Sequence, residues 1–383
     1  MKKILVFIGS RANYSSVKSV MTEIKRHPNL KLQLVVGASA LIEKYGNLLN
    51  LIKKDGFKID EKLFTLVEGE NPISMSKTAG LGIIEMSSTL INLKPNIVIT
   101  IGDRFETIST SIASTYLNIP LAHTMGGEVT GTIDESIRHA TSKFANIHLV
   151  ATKQSRNRVI KLGEISKNVF NVGCPRIDLV KNIIKSNKKI DTNAIFKHGV
   201  GEKFDLKNRF LIVSQHPVTT EHQSSIKQIT NTLQAVKKIG LPAFVLWPNA
   251  DAGADGISRG IRIFREKNDK LPFFYIKNFK IEQYVSLMNK TSCLIGNSSS
   301  GIREGAYIGT PTVNIGTRQN DRECGKNVIH TNYNEKNIFI SIKKQLKKGK
   351  YKSEKIYGDG AAGKKIAKIL SNINVKVQKK ITY

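Results

Sequence analysis

Three acidic side chains, Asp103, Glu128 and Asp134, stand in polar loops that each follow an apolar run, and His216 stands in another such loop between Gln215 and Pro217. Carboxylates crowded into one partly desolvated place have raised pKa values, which suits taking a proton from carbon and giving one to a leaving group. Glu128 follows Gly126-Gly127, a pair that lets the chain turn tightly, so its side chain is expected to project into a cleft. For Asp134 a structural reading stands beside the chemical one: Thr132 or Asp134 would cap the helix that Ile137 and Ala140 continue.

A second chemistry is written in Gly296-Asn297-Ser298-Ser299-Ser300-Gly301, a small-residue loop leading into a helix expected to start near Ile302. Small residues let main-chain N–H groups approach a phosphate, serine hydroxyls add donors, and a helix N-terminus adds partial positive charge. The plainer reading is a serine cluster that caps a helix. The loop is neither GxGxxG nor Gly-Lys-Ser/Thr, which argues against dinucleotide redox chemistry and ATP hydrolysis. Glu304, placed in the first turn, can cap that helix or accept from ribose hydroxyls, while Arg303 and Arg318 are of the type that grips a diphosphate two-handedly. No His-x-x-x-His or paired-cysteine spacing occurs, so neither a metal nor a cofactor is expected.

The elements that must position these groups read as two α/β halves. Apolar runs at Ile4–Ile8, Leu32–Val36, Ile97–Ile101 and Ile147–Val150 are of the kind that forms buried parallel strands. Between the first two, Val17, Val20, Met21 and Ile24 line one face of a helix that His27-Pro28-Asn29 stops. After a Lys/Asn-rich stretch from about Lys181 to Lys207, expected to be weakly structured, the pattern restarts. Its strands are expected at Phe210–Ser214, Ala243–Trp247, Pro272–Ile276, Ser292–Ile295 and Thr312–Ile315. Two Rossmann-like doubly wound domains follow, divided near residue 175, with ligands expected beyond the carboxyl ends of the strands and in a cleft between the halves.

At 383 residues the chain is long enough for two such cores. Its net charge of +30 raises nucleic acid as a partner. The lysines are scattered, however, and densest at helical spacing between apolar residues, which reads as solvated helix faces. Arg and aromatic residues do not interleave as a single-strand groove needs, so no nucleic-acid partner is expected. Cys174, Cys293 and Cys324 are too few and too widely separated for a disulfide framework. The run Ile4–Ile8 is too short for a signal core and no run reaches bilayer length. A soluble cytoplasmic protein without a membrane partner is expected.

The motifs Gly-Ser-Arg-Ala-Asn-Tyr at 9–14, Gly-Asp-Arg-Phe at 102–105, Gly-Gly-Glu-Val-Thr-Gly-Thr-Ile-Asp-Glu-Ser-Ile-Arg-His at 126–139, Gln-His-Pro-Val-Thr-Thr at 215–220 and Gly-Asn-Ser-Ser at 296–299 occur in this order. With Gly-Thr-Arg-Gln at 316–319 and Tyr-Gly-Asp-Gly at 357–360, they make the chain resemble the hydrolysing UDP-N-acetylglucosamine 2-epimerases over nearly its whole length. It also resembles the epimerase half of the bifunctional animal enzyme of sialic acid synthesis. The resemblance implies a glycosyltransferase-B-like fold, with UDP held mainly by the C-terminal domain at 176–354. It also implies that a last helix, after about residue 355, returns to the first domain. It places Arg11, Ser15, Arg104, His216, Asn249, Phe279, Ser298, Ser299, Glu304 and Arg318 against UDP or its sugar, and Asp103, Glu128, Asp134 and His216 at positions linked to catalysis. It suggests a homo-oligomer of two or four copies.

The implied reaction removes the C2 proton, expels UDP to leave a glycal, and hydrates it with inversion at C2. Which carboxylate is the base stays open. So does the sugar: a UDP-2,4-diacetamido-2,4,6-trideoxyhexose would undergo the same elimination. A glycosyltransferase of the same fold and a basic anion-binding module are the rival readings. Three carboxylates on one half favour elimination over plain transfer.

Overall fold

A computed structural model describes residues 1–43, 48–69, 71–130, 133–186, 191–248 and 253–382. The chain divides into two compact units, one of Met1–Glu128, Ile133–Leu179 and Tyr357–Tyr383, the other of Val129–Thr132 and Val180–Ile356.

The first unit runs β1 (Lys2–Ile8), α1 (Arg11–Arg26), β2 (Leu30–Gly37), α2 (Leu48–Lys54), β3 (Glu61–Leu63), α3 (Pro72–Leu93), β4 (Ile97–Ile101), α4 (Thr107–Tyr116), β5 (Leu121–Thr124), α5 (Asp134–Phe144), β6 (Ile147–Val150), α6 (Lys153–Lys161) and β7 (Val169–Asn171). Helix α7 (Pro175–Ser186) leaves it. The second unit follows with α8 (Thr192–Ile195), β8 (Gly199–Gly201), β9 (Leu211–Ser214), α9 (Ser225–Ile239), β10 (Ala243–Leu246), α10 (Ala254–Lys267), β11 (Phe273–Ile276), α11 (Ile281–Lys290), β12 (Cys293–Gly296), α12 (Ser299–Ile308), β13 (Thr312–Ile315), β14 (Val328–Thr331) and α13 (Glu335–Lys348). Helix α14 (Ala362–Asn372) belongs to the first unit again.

Among the described residues each unit is built on a seven-stranded sheet. The first has the order β3-β2-β1-β4-β5-β6-β7, every neighbouring pair parallel. The second has the order β14-β13-β12-β9-β10-β11-β8, parallel except for β8, which runs antiparallel to β11. Among the parallel strands the order reverses between β1 and β4 in the first sheet and between β9 and β12 in the second. In doubly wound sheets such a switch point opens a crevice at the strands' carboxyl ends.

Local chemistry explains the elements. Ile4 to Ile8 and Ile97 to Ile99 are buried because parallel strands are covered by helices on both faces. In α1 the buried face is Val17, Val20, Met21 and Ile24, each such burial contributing about 1.5–3 kcal/mol. The Ser10 hydroxyl caps this helix by accepting from the Asn13 N–H at 3.3 Å. Helix α14 packs on α1 so closely that a Cβ on Gly363 would stand 2.8 Å from the Ser19 carbonyl. Its first N–H groups, on Ala362 and Gly363, donate to the Asp178 carboxylate at 2.9 and 2.7 Å. Beyond it, Lys379 donates to the carbonyls of Lys143 and Ala145 and pairs with Glu164 at 2.7 Å. Glu164 also receives Lys143 at 2.7 Å and the His148 ring at 3.0 Å.

Two expectations need correction. The stretch from Lys181 to Lys207 is structured where it is described: it holds the end of α7, α8 and β8, and buries Ile195, Phe196 and Leu206. Phe196 stacks on Phe244 at 5.5 Å and meets Phe274 edge-on at 4.8 Å. The frequent lysines hide this segment's few large apolar anchors, which pack on one another, as Phe196 does on Phe204, and on the strands of the second sheet. The helix expected from Ile302 begins at Ser299, because Ser298 already caps it. No helix among the described residues is long and apolar enough to cross a membrane.

Candidate active site

Each unit carries its own set of candidate residues at the carboxyl ends of its central strands. In the first unit the switch point is flanked by the loop after β1, with Arg11 at the start of α1, and the loop after β4, with Asp103 and Arg104. Asn13 joins the two by donating to the Ile101 carbonyl at 3.4 Å. Arg104 is ion-paired with the buried Glu106 at 2.8 Å, and Gly9 is glycine because any Cβ there would run into the Glu106 side chain. Ser15, half-buried in the first turns of α1, donates to the Ala12 carbonyl at 3.0 Å.

Around Asp103 the structure departs from a simple cluster of carboxylates. Arg138 on α5, only 1% exposed, forms an ion pair with the Asp103 carboxylate. Its other terminal nitrogen donates to the Glu128 carbonyl at 2.9 Å and to the Glu135 carboxylate at 3.1 Å. A single buried guanidinium therefore fixes the strand-end loops carrying Asp103 and Glu128 against α5. Glu135 also meets the His139 ring at 2.8 Å. Glu128 is 3% exposed, so its side chain lies inside rather than projecting freely. Asp134 is the first residue of α5 and half-buried; the cap position is Ile133, with no side-chain capping bond, and Thr132 lies outside the described residues.

His123, at the end of β5, holds the other side of this loop. Its Nε2 lies 2.7 Å from the Gly102 carbonyl, which can only accept, so Nε2 carries the hydrogen and Nδ1 accepts from the Ser142 hydroxyl at 3.1 Å. Complete burial pushes the His123 pKa down to about 4, so the ring braces the residue before Asp103 as an uncharged donor. Gly127 is set by sterics: its φ is +72°, and a side chain there would strike the Ser155 carbonyl.

In the second unit the switch point lies between β9 and β12, where Gln215-His216 and Asn297-Ser298 follow the strands. Asn297, 0% exposed, ties them together. Its carbonyl side accepts from the His216 N–H at 2.7 Å and its amide donates to the His216 carbonyl at 2.8 Å. The Asn297 main-chain carbonyl in turn accepts from Arg318 at 3.2 Å and Gln319 at 2.9 Å, both on the loop after β13. Three consecutive loops of the sheet thus converge on one asparagine. The Ser298 hydroxyl caps α12 by accepting from the Ser300 N–H at 3.4 Å, and Ser299 is the first helical residue. Glu304 is in the second turn, not the first, and is buried with Arg303. The Phe279 ring is packed in the core, edge-on to Phe244 at 5.3 Å and stacked on Tyr284 at 6.4 Å. Asn249 lies outside the described residues.

The structure thus brings Asp103 and Glu128 together through Arg138, and His216, Ser298 and Arg318 through Asn297. Neither Arg138 nor Asn297 was singled out from the sequence, although both stand inside the recognised motifs. Arg138 lies four residues after Asp134, one helical turn on, and that spacing was the available signal. The first set is suited to proton transfer beside a fixed cation; the second offers a helix N-terminus, hydroxyls and a guanidinium to an anion.

The UDP-N-acetylglucosamine 2-epimerase family model matches residues 22–371, and the chain belongs to this family. It is 32% identical over 99% of its length to the UDP-N,N'-diacetylbacillosamine 2-epimerase (hydrolyzing) of Legionella pneumophila, covering 98% of that protein. It is 29% identical, over 99% of its length and 98% of the other, to a UDP-N-acetylglucosamine 2-epimerase of Neisseria meningitidis serogroup B. Among solved structures, the UDP-GlcNAc 2-epimerase from Neisseria meningitidis bound to UDP-GlcNAc superposes with a TM-score of 0.81 at 19% identity, over 96% of this chain and 99% of that one. The fold is therefore glycosyltransferase-B-like, two α/β domains of the kind expected.

Proposed function

We propose that the protein is a hydrolysing 2-epimerase that converts UDP-N-acetylglucosamine and water to N-acetylmannosamine and UDP. In this reading the second unit holds the diphosphate with the Ser298–Ser299 helix start and Arg318, while His216 and the first unit's Asp103, Glu128 and Asp134 handle protons. A base takes the C2 proton, the C2–H electrons form the C1=C2 bond, and the C1–O bond breaks with its pair leaving on UDP. The C1=C2 pair then takes a proton at C2 from the opposite face, water oxygen bonds to C1, and water's surplus proton passes to a carboxylate, giving the free sugar. The departing diphosphate needs donors already in place, and the proton steps need a carboxylate whose position does not drift.

The observation that carries this reading is the Arg138–Asp103 pair at the switch point of the first sheet, in a chain of this family. The product would feed synthesis of sialic-acid-type nonulosonic acids. A second substrate has specific support: the Legionella relative acts, by its name, on UDP-N,N'-diacetylbacillosamine, a diacetamido sugar that would eliminate by the same steps.

Turnover of both UDP-sugars in heavy water tests the proposal. UDP and a free sugar deuterated at C2 are expected from UDP-N-acetylglucosamine. Deuterium-free sugar would mean plain hydrolysis, and turnover of only the diacetamido sugar would move the substrate to the second reading.

A further inference from the structure

The loop after β13 carries Arg318 and is held from two sides. On one side Arg318 and Gln319 donate to the Asn297 main-chain carbonyl at 3.2 and 2.9 Å. On the other stands Glu221, half-buried in the short turn Thr219–Ser224 between His216 and α9. The Thr317 hydroxyl, one residue before Arg318, donates to Oε1 of Glu221. The second carboxylate oxygen, Oε2, accepts from the Gln228 side chain on α9 at 2.9 Å.

Among the described residues no Lys, Arg or His forms an ion pair with Glu221, so both of its oxygens spend their acceptor capacity on neutral donors. An ionised acceptor makes the stronger kind of hydrogen bond. Threonine is branched at Cβ and stiff about χ1, so anchoring its hydroxyl also fixes the main chain that leads into Arg318. The turn just before has no slack: Gly316 has φ +75°, and a Cβ there would stand 2.0 Å from the Tyr333 ring. The Tyr333 carbonyl accepts from the Asn231 side chain on α9 at 2.9 Å. Burial first and then the Glu221 charge push the pKa of the Tyr333 hydroxyl up, so it stays protonated beside the carboxylate. Gln228 and Asn231 stand three residues apart on one face of α9, and through Glu221 and Tyr333 that face backs Gly316 and Thr317. A carboxylate in direct contact with a diphosphate would repel it, so Glu221 acts through Thr317 rather than on the ligand.

We propose that Glu221 is a positioning residue for the diphosphate: by holding the Thr317 hydroxyl it sets the main chain from which Arg318 reaches the anion. This rests on Arg318 acting as a ligand of the diphosphate, and it names what holds that arginine in register from the side of α9.

Ligand-observed NMR titration of the full-length protein with UDP and with uridine tests it, because only UDP carries the group assigned to Arg318. Glu221→Ala is expected to weaken UDP roughly 10-fold and to leave the uridine Kd unchanged. Thr317→Val keeps the shape, removes the donor and should do the same, while Thr317→Ser, which retains the hydroxyl, should bind UDP as wild type does. In the double variant Glu221→Ala/Thr317→Val the loss should be no larger than in either single one, since both remove the same bond. A role in stability alone would lower the melting temperature and weaken UDP and uridine alike, and that result would overturn the proposal, as would wild-type UDP affinity in Thr317→Val. Arg318→Ala separates the two levels. If it leaves UDP binding untouched, the diphosphate role of Arg318 fails and the positioning role with it; if it weakens UDP and Glu221→Ala does not, only the positioning role fails.

Discussion

The Arg138 guanidinium is ion-paired with the Asp103 carboxylate, and the same side chain holds the Glu128 carbonyl at 2.9 Å. This cation comes from α5 and the carboxylate from the end of β4, so the pair sets the distance between two elements rather than decorating one. Arg138→Lys keeps the charge but loses the planar fork that reaches both partners. Its kcat is expected to fall by roughly 100-fold, with the Kd for UDP nearly unchanged. Steady-state kinetics beside UDP titration calorimetry checks this split; a KM effect without a kcat effect would argue that Arg138 positions nothing in the reaction.

Asp103→Asn and Glu128→Gln remove one ionisable oxygen each without changing shape. If these carboxylates move protons, each variant should lose about 10²–10⁴-fold in turnover and in deuterium uptake at C2, while still binding UDP. Since Glu128 is buried, the comparison is informative: normal turnover in Glu128→Gln would leave the proton chemistry to Asp103, Asp134 and His216.

Asn297 is the tie between the loops after β9, β12 and β13. Asn297→Ala leaves both the N–H and the carbonyl of His216 without their partner, at about 1–3 kcal/mol per buried group. A lower melting temperature and weaker UDP binding are expected together. Asn297→Asp, which keeps the acceptor but not the donor, should fall between.

Two glycines in the left-handed region separate strain from collision. Gly240 caps α9 at φ +75° with nothing near its missing side chain, so Gly240→Ala should cost only about 1–2 kcal/mol. Gly127 has a similar φ of +72° but faces the Ser155 carbonyl, and Gly127→Ala should cost several times more, read as the difference in denaturation midpoint.

Burial alone would raise the Glu164 carboxyl, but hydrogen bonds from His148, Lys143 and Lys379 outweigh it and hold its pKa at about 2, below an ordinary value of 4.5. A carboxylate whose folded pKa is depressed stabilises the fold fully above its unfolded pKa, and that contribution disappears as pH falls from about 4.5 toward about 2. Glu164→Gln should therefore be less stable than wild type at pH 7, with the gap closing as acid is added. Urea titrations across that range would show it, and a gap that stays constant would contradict the network's charge.

The sequence by itself determined the two-unit α/β plan. Strands such as Ile4–Ile8 and Ile147–Val150 are short, largely apolar runs, and the helix face of Val17, Val20, Met21 and Ile24 is set by helical spacing. Both signals are local and periodic, so they need no knowledge of the fold. The motifs likewise placed Asp103, Glu128, His216 and Ser298 at strand ends. Only the tertiary structure decided what stands beside them: Arg138 rather than another carboxylate at Asp103, Asn297 beneath His216, and the Phe279 ring in the core. It also decided that β8 and α8 order the lysine-rich segment. Those outcomes depend on residues 35 and 81 positions apart meeting across a sheet, and spacing along a chain carries no trace of that meeting until the strand order is known.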